Sequence, residues 1–215
     1  MTIQDVQARF QGRRPGLMDV RQRYAVLVPL VEREGRLHLL YEVRAATLRR
    51  QPGEVCFPGG RMEGAETPVQ CALRELEEEL SIPRRAVRVI APMDLLYHRA
   101  GFVMHPILAQ VEVEAVERLV RSPAEVDQTL LVPVSELEAQ RPLEYRYELI
   151  PDPPEDFPYE QAGIPRDYHW MRGVEQGPIY RWRDWAIWGL TGRITRWLLD
   201  QCGAAEPEGA GHGET

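Results

Sequence analysis

Residues 60–82 read GRMEGAETPVQCALRELEEELSI. Thr67 can cap a helix, Pro68 fits its first position, and Gln70 completes a capping box with Thr67. Pro83 stands beyond the far end, so the spacing predicts a helix running to about Leu80. At 100° per residue, Glu75, Glu78 and Glu79 span one arc of about 100°. Val69, Leu73, Leu76 and Leu80 gather on a separate arc centred roughly 120–140° away. One face therefore packs on a sheet while the other presents three carboxylates side by side. Like charges at that spacing destabilise a helix by on the order of 0.2–0.5 kcal/mol per pair. A hard divalent cation such as Mg2+ or Mn2+ removes the penalty, because carboxylate oxygens suit it. Such an ion also draws diphosphate oxygens and lowers the pKa of a bound water. On Glu75 to Glu79 alone, a solvated acidic helix face is the plainer reading.

The flanking chain supplies the sheet. Tyr24–Val31 is β-branched and apolar and reads as a strand. The polar turn 32–35 ends in Gly35, and Leu37–Val43 completes a hairpin. Arg44–Pro52 is a basic, polar loop. Glu54–Phe57 is a short strand running into the break Pro58-Gly59-Gly60. Downstream, Val87–Tyr97 and Val103–Val113 read as strands, with bulges or edge positions expected at Pro92 and Pro106. Leu130–Val134 is a further strand and Ser135–Gln140 a helical turn. Leu143–Gly177, rich in Pro and Tyr, is expected to hold short strands joined by an irregular excursion. Thr2 can cap a short first helix carrying Ile3, Val6 and Phe10, with Gly12 as its stop. Asp184–Leu199 reads as a final amphipathic helix, and 203–215 as a disordered tail. Strands with helices between and after them predict an α/β/α sandwich around a mixed β-sheet. Residues 1–202 are taken as one domain with helical additions at both ends.

The 215 residues include 44% hydrophobic and 27% charged side chains, an ordinary soluble balance. No apolar run is long enough to span a bilayer, and residues 1–16 have no apolar signal-type core, so a cytoplasmic protein is expected. Cys56, Cys71 and Cys202 are too few and scattered for a disulfide framework or a zinc site. All three are expected to be reduced, and Cys56 and Cys71 buried. The net charge of −7 argues against general nucleic-acid binding. An anionic small molecule remains compatible, because a local Arg cluster or a bound cation can reverse the local sign.

The spacing from Gly60 to Glu66, and from Glu66 to Arg74-Glu75-Leu76-Glu77-Glu78-Glu79, resembles the Nudix box. That pattern is Gly, five residues, Glu, seven residues, Arg-Glu-apolar-any-Glu-Glu-any-Gly-apolar. Every specified position matches except the last Gly, which is Ser81 here. Gly in that place eases a helix-ending conformation. The resemblance implies the Nudix fold and a Mg2+- or Mn2+-dependent diphosphatase. Glu75 and Glu79 would be the principal metal ligands, with Glu78 supporting or binding a second ion and the Gly60 carbonyl adding a ligand. Arg74 and Glu66 would pair as a structural brace, with direct phosphate contact by Arg74 the lesser alternative. The general base is left between Glu125, on a loop after the sheet, and Glu78. For Glu125, an ordinary surface carboxylate is the bland alternative.

The preceding stretch, residues 39–60, resembles the coenzyme A pyrophosphatase subfamily through Arg44, Leu48, Arg49, Gly53, Val55 and Phe57–Gly60. Ala45 and Gln51 replace that subfamily's usual Ser and His. Residues 186–192, AIWGLTG, resemble the segment opening its last helix. The resemblance implies cleavage of coenzyme A or acyl-coenzyme A to 4′-phosphopantetheine, or its acyl form, and adenosine 3′,5′-bisphosphate. Arg44, Arg49 and Arg50 lie on one loop and can grip phosphate oxygens; the bland alternative is solubility or pairing with Glu42 and Glu54. ADP-ribose, a nucleotide sugar or a dinucleotide is the alternative substrate class. A non-catalytic Nudix-fold binding module ranks lower, because all three carboxylates are present. No nucleic-acid or membrane partner is expected, and a homodimer is compatible with the sequence. Trp182, Trp185, Trp188 and Trp197 are expected to pack a helix on the sheet, with stacking on a nucleobase or lining of a partner groove the lesser alternative. Tyr145, Tyr147, Tyr159 and Tyr168 either pack there or meet a pantetheine arm or adenine. His98 and His105 flank a turn at residues 99–101; either could touch substrate, and a structural or exposed imidazole is the plainer reading.

Overall fold

The apolar run that opens at Tyr24 becomes the centre of a mixed sheet. The computed structural model describes residues 1–203. It runs through α1 (Ile3–Phe10), β1 (Gln22–Arg33), β2 (Arg36–Arg44), β3 (Val55–Cys56), β4 (Gly59–Arg61) and α2 (Pro68–Leu80). A 3-10 turn at Arg84–Ala86 leads to β5 (Val87–Pro92), β6 (Leu96–His98), β7 (Phe102–Val111) and α3 (Val113–Glu117). Next come β8 (Val126–Pro133), α4 (Val134–Glu138), β9 (Leu143–Leu149) and α5 (Tyr159–Ala162). The described chain ends with β10 (Gly173–Trp182), β11 (Trp185–Ile187) and α6 (Gly189–Gly203).

The main sheet has the order β3-β2-β1-β7-β5, with β4 also on β1, β6 on β7 and β8 on β2. β1 and β7 are parallel; their other pairings are antiparallel. Successive residues of a strand point to opposite faces, and β1 is buried on both. Ala25 and Leu27 join α2 residues Cys71, Ala72, Leu76 and Leu80. Val26 and Val28 join Ile194 and Leu198 of α6 and Leu137 of α4. The predicted α/β/α sandwich around a mixed sheet is the fold. β9, β10 and β11 form a smaller antiparallel sheet whose Tyr180, Trp182 and Ile187 continue the α6-side core. The Tyr41 hydroxyl meets Thr195 at 2.9 Å, tying β2 to α6 inside that core.

Several boundaries differ from the sequence expectation. The 184–199 helix is a strand followed by a helix. Arg183, at φ 53°, turns β10 into β11, so Trp182 and Trp185 are cross-strand partners and α6 starts only at Gly189. Gly203 closes that helix; the rest of the expected tail, 204–215, lies outside the described residues. The 87–97 strand is broken in two. Pro106 has no N–H to offer, β5 stops at the level of Ile107, and β6 resumes opposite Met104. A register shift between Val89 and Ala91 marks a bulge on the same edge. Cys71 is buried as expected, while Cys56 is only half-buried because β3 lies at the sheet edge. Leu143–Gly177 contains β9 and the start of β10, paired in register from Gly173↔Leu149, around the excursion that carries α5. Among the described residues no helix is long and apolar enough to cross a membrane.

Candidate active site

The α2 helix begins as its sequence dictates. The Thr67 hydroxyl accepts from Gln70 N at 3.3 Å and the Gln70 side chain accepts from Thr67 N at 2.8 Å. It ends at Ser81, whose φ of 55° and ψ of 26° are left-handed. Ser81 N donates to the Glu77 carbonyl at 3.0 Å, Val120 N to Leu80 O at 3.1 Å and Ser122 N to Glu79 O at 2.8 Å. The orphan carbonyls of the last turn are thus satisfied by the loop that also carries Glu125.

Two glycines let the helix come close to the sheet. A Cβ on Gly59, at φ 154°, would lie 2.4 Å from the Ala25 carbonyl oxygen, and one on Gly60 would lie 2.3 Å from Glu75 Oε1. The Gly60 carbonyl faces Cys71, whose Sγ stands 3.7 Å away. The space beside Gly60 therefore belongs to the Glu75 carboxylate.

The three carboxylates do not share one exposed face, as the helical wheel suggested. The Glu78 side chain is 56% exposed, that of Glu75 15%, and Glu79 as a residue 5%. The reason is that the small residues Cys71 and Ala72 are buried too. Ala72 and Glu79 differ by only about 20° around the helix, so seating the helix on Ala72 draws Glu79 into the sheet side. There Glu79 Oε2 accepts from Gly59 N at 2.9 Å. Burial, then the neighbouring Glu42, push its pKa well above the carboxylate range. Burial also raises Glu75, against the pull of Arg74.

Arg74 occupies the centre of the outer half. Its Nε and Nη2 grip Glu66 at 3.2 and 3.0 Å, and Nη2 also reaches the Arg61 carbonyl at 3.3 Å. Nη1 stands 2.9 Å from both Glu75 Oε1 and Glu78 Oε2. The paired hydrogen bonds from Arg74 hold the Glu66 carboxyl down at about 2. Arg74 thus fastens the loop before α2 to two carboxylates on α2, with Glu66 as its anchor.

The sequence reading placed Glu42 only as a salt-bridge partner for loop arginines. The structure places it 1% exposed on β2, its Oε1 accepting from Cys56 Sγ at 3.4 Å and its Oε2 without a partner among the described residues. Burial raises its pKa above the carboxylate range. The available signal was a lone acid in the apolar run 39–43. Glu125 is exposed, yet its charge is felt at Glu42, Glu75 and Glu79, so it stands at the rim of the same group. Its carbonyl accepts from Ala45 N at 2.8 Å.

Among the described residues no three His, Cys, Asp or Glu side chains are already drawn together as a finished cage. The donor set still fits a hard divalent cation. It is all oxygen, it includes the buried carboxyls Glu42 and Glu79, neither of which forms an ion pair among the described residues, and Gly60 lets the Glu75 carboxylate lie against the backbone where a Cβ would stand.

A cavity of about 370 Å³ opens beyond Cys56, the hydrogen-bond partner of Glu42, and is lined by none of the α2 carboxylates. Arg44, Glu54 and Cys56 border it toward the Glu42 side; Phe102, Tyr145 and Trp188 supply aromatic walls. His98 lines it as well, stacked on Phe102 with ring centroids 4.6 Å apart. Tyr147 joins it from β9, whereas Tyr159 and Tyr168 sit in a separate aromatic cluster with Phe157 and Trp170. Arg49 and Arg50 are exposed and outside its wall; the Arg50 carbonyl accepts from Arg44 Nε at 3.4 Å. Trp182 is in the core and Trp185 and Trp197 pack against it, but Trp188 is 42% exposed at the cavity. His105 has a buried Nε2 without a partner among the described residues.

The NUDIX domain family matches residues 21–152. The chain is 31% identical over 209 residues to the uncharacterized Nudix hydrolase NudL of Enterobacter sp. (strain 638), covering 94% of this chain and 96% of that one. It is 38% identical over 121 residues to Nudix hydrolase 3 of Caenorhabditis elegans, covering 55% of this chain and 50% of the worm protein. It is 36% identical over 106 residues to the peroxisomal coenzyme A diphosphatase NUDT7 of Mus musculus, covering 45% of each. The match thus spans about half the length of the worm and mouse proteins.

Proposed function

This chain belongs to the Nudix hydrolase family, and from that premise we propose that it hydrolyses the diphosphate of coenzyme A or an acyl-coenzyme A. The observation that carries the reading is an aromatic-walled cavity lined by Arg44 and by Cys56, whose thiol donates a hydrogen bond to the Glu42 carboxylate that neighbours Glu79 of α2. Coenzyme A is an elongated molecule with a diphosphate at its middle, a purine at one end and a thiol-tipped chain at the other. A site that holds it needs a charged centre and a largely apolar extension, which is the arrangement around Arg44, Tyr145 and Trp188. The likeness of residues 39–60 to the coenzyme A pyrophosphatase signature and the similarity to the mouse diphosphatase point the same way.

Glu75, Glu78 and Glu79, with the Gly60 carbonyl, would hold Mg2+ or Mn2+, which when bound polarises phosphoryl oxygens and lowers the pKa of water. The chain's own residues do the rest. Arg44, at the cavity edge, would donate to a diphosphate oxygen, a role its planar guanidinium suits. Arg49 and Arg50, exposed on the same loop, can meet the peripheral phosphate of a long substrate. Arg74 and Glu66 keep the loop before α2 and the carboxylate helix in register. Glu125 has no ion-pair partner among the described residues and stands at the rim, so it is our candidate to take the proton from the attacking water. Glu78 is the rival, although it is engaged by Arg74 at 2.9 Å.

A panel of coenzyme A, acyl-coenzyme A, ADP-ribose, a nucleotide sugar and a dinucleotide, each incubated with protein and Mg2+ and read by mass spectrometry, tests this. The expected result is the highest kcat/KM for a coenzyme A species, with 4′-phosphopantetheine (or its acyl form) and adenosine 3′,5′-bisphosphate as products. Rapid turnover of ADP-ribose with none of coenzyme A would refute the substrate assignment. Full turnover by Glu125→Gln would remove Glu125 as the base and leave Glu78.

A further inference from the structure

The alternation of β2 fixes which way each side chain points. Leu40 belongs to the core under α2, while Tyr41 and Val43 belong to the core under α6. Glu42 therefore faces α2, where the pattern calls for an apolar residue. Its neighbours across the sheet are Cys56 and Thr129. Neither can neutralise a carboxylate: the thiol offers one weak hydrogen bond at 3.4 Å, and Oε2 finds no partner among the described residues. Arg44, two residues on, is near enough to favour the charge, but its Nε donates to the Arg50 carbonyl. The carboxyl that faces Glu42, close enough to share a hydrogen bond with it, is that of Glu79, itself buried and accepting the Gly59 N–H through Oε2. Two ionised carboxylates cannot satisfy one another, and a buried charge is retained only with a counter-charge. A divalent cation between strand and helix resolves both deficits at once.

We propose that Glu42 is a further ligand for the divalent cation of this site, contributed by β2 opposite Glu79 of α2. This rests on the reading of the α2 carboxylates as the metal site. It adds a residue from outside the helix motif, so that the ion also ties the sheet to the helix.

The test is titration of the substrate-free protein with Mn2+, with the unbound ion followed by electron paramagnetic resonance. Glu42→Gln keeps the shape and removes the charge; its Mn2+ affinity is expected to fall roughly tenfold or more. The proposal is overturned if that variant binds Mn2+ as tightly as, or more tightly than, the parent protein. In that case Glu42 merely shares a proton with Glu79, a state the amide imitates. Should Glu42→Gln fail to fold, Glu42→Asp keeps the charge and withdraws it by one methylene. Weakened Mn2+ binding by a folded Glu42→Asp supports the ligand role, and unchanged binding contradicts it. Glu79→Gln serves as the reference: unaltered affinity in that variant would remove the helix site itself, whatever Glu42 does.

Discussion

Ser81 occupies a conformation that L side chains adopt at a cost of roughly 1–2 kcal/mol, at φ 55° and ψ 26°. The Nudix pattern has Gly in this place. Ser81→Gly is expected to stabilise the fold by about 0.5–1 kcal/mol after the added freedom of the unfolded chain is discounted, as measured by urea denaturation. Glu66 supplies a second residue-scale prediction. Its pKa is depressed from 4.5 to about 2 by the hydrogen bonds from Arg74. A depressed carboxylate stabilises the fold at pH above its unfolded value, and the contribution is lost as pH falls through the folded value. Glu66→Gln is therefore expected to cost about 1 kcal/mol at neutral pH, a gap that holds down to about pH 5 and closes between 4.5 and 2. A gap that widened on acidification would contradict the pairing. The residues of the helix motif were offered by the sequence through their resemblance to the Nudix box, since Glu75 to Glu79 by themselves read as a solvated face. Glu42 was not, because its meaning depends on which face of β2 meets α2, and that is set by strand pairing.

At the scale of elements, α2 was readable from end to end: its cap, its Pro at the first position and its stop are local features of the chain. Its orientation was not. The helical wheel weighed Val69 and Leu73 and passed over Cys71 and Ala72, whose small size lets the helix settle deeper and carries Glu79 inward. The last helix was drawn too early for a related reason. Apolar residues at 182, 185 and 188 fit a helical period, but Arg183 adopts a positive φ and a two-residue turn pairs Trp182 with Trp185 instead. Gly60 shows how tightly α2 and β4 are matched. Gly60→Ala would place a methyl group 2.3 Å from Glu75 Oε1, so that carboxylate must move. The expected outcome is a fold retained by circular dichroism with hydrolysis reduced by on the order of 10²-fold or more, since displacements of about 1 Å are costly in catalysis.

The whole molecule assembles what no single segment contains. The cavity draws on Val26, Cys56, Phe102, Tyr145 and Trp188, residues from β1, β3, β7, β9 and the turn before α6. The sequence could offer Tyr145 and Trp188 as aromatic candidates, but tertiary folding alone brings them to one wall. If that wall holds the substrate's base or arm, Trp188→Ala is expected to raise KM for coenzyme A roughly tenfold while kcat changes little, because stacking of a base on an aromatic ring contributes about 1–3 kcal/mol to ground and transition states alike. A loss confined to kcat would place Trp188 elsewhere in the reaction. The layered sandwich itself was legible, since the periods of strands and helices are written in the chain. The lesser sheet was legible only as an expectation of short strands around residues 143–177, where Pro and Tyr obscure the period. The most direct test of the account is the steady-state hydrolysis of coenzyme A, with and without Mg2+, by the parent protein and by Glu79→Gln. The account predicts Mg2+-dependent release of both products by the parent and a loss on the order of 10²–10³-fold in kcat for the variant at unchanged fold. Undiminished Mg2+-dependent hydrolysis by Glu79→Gln would contradict it.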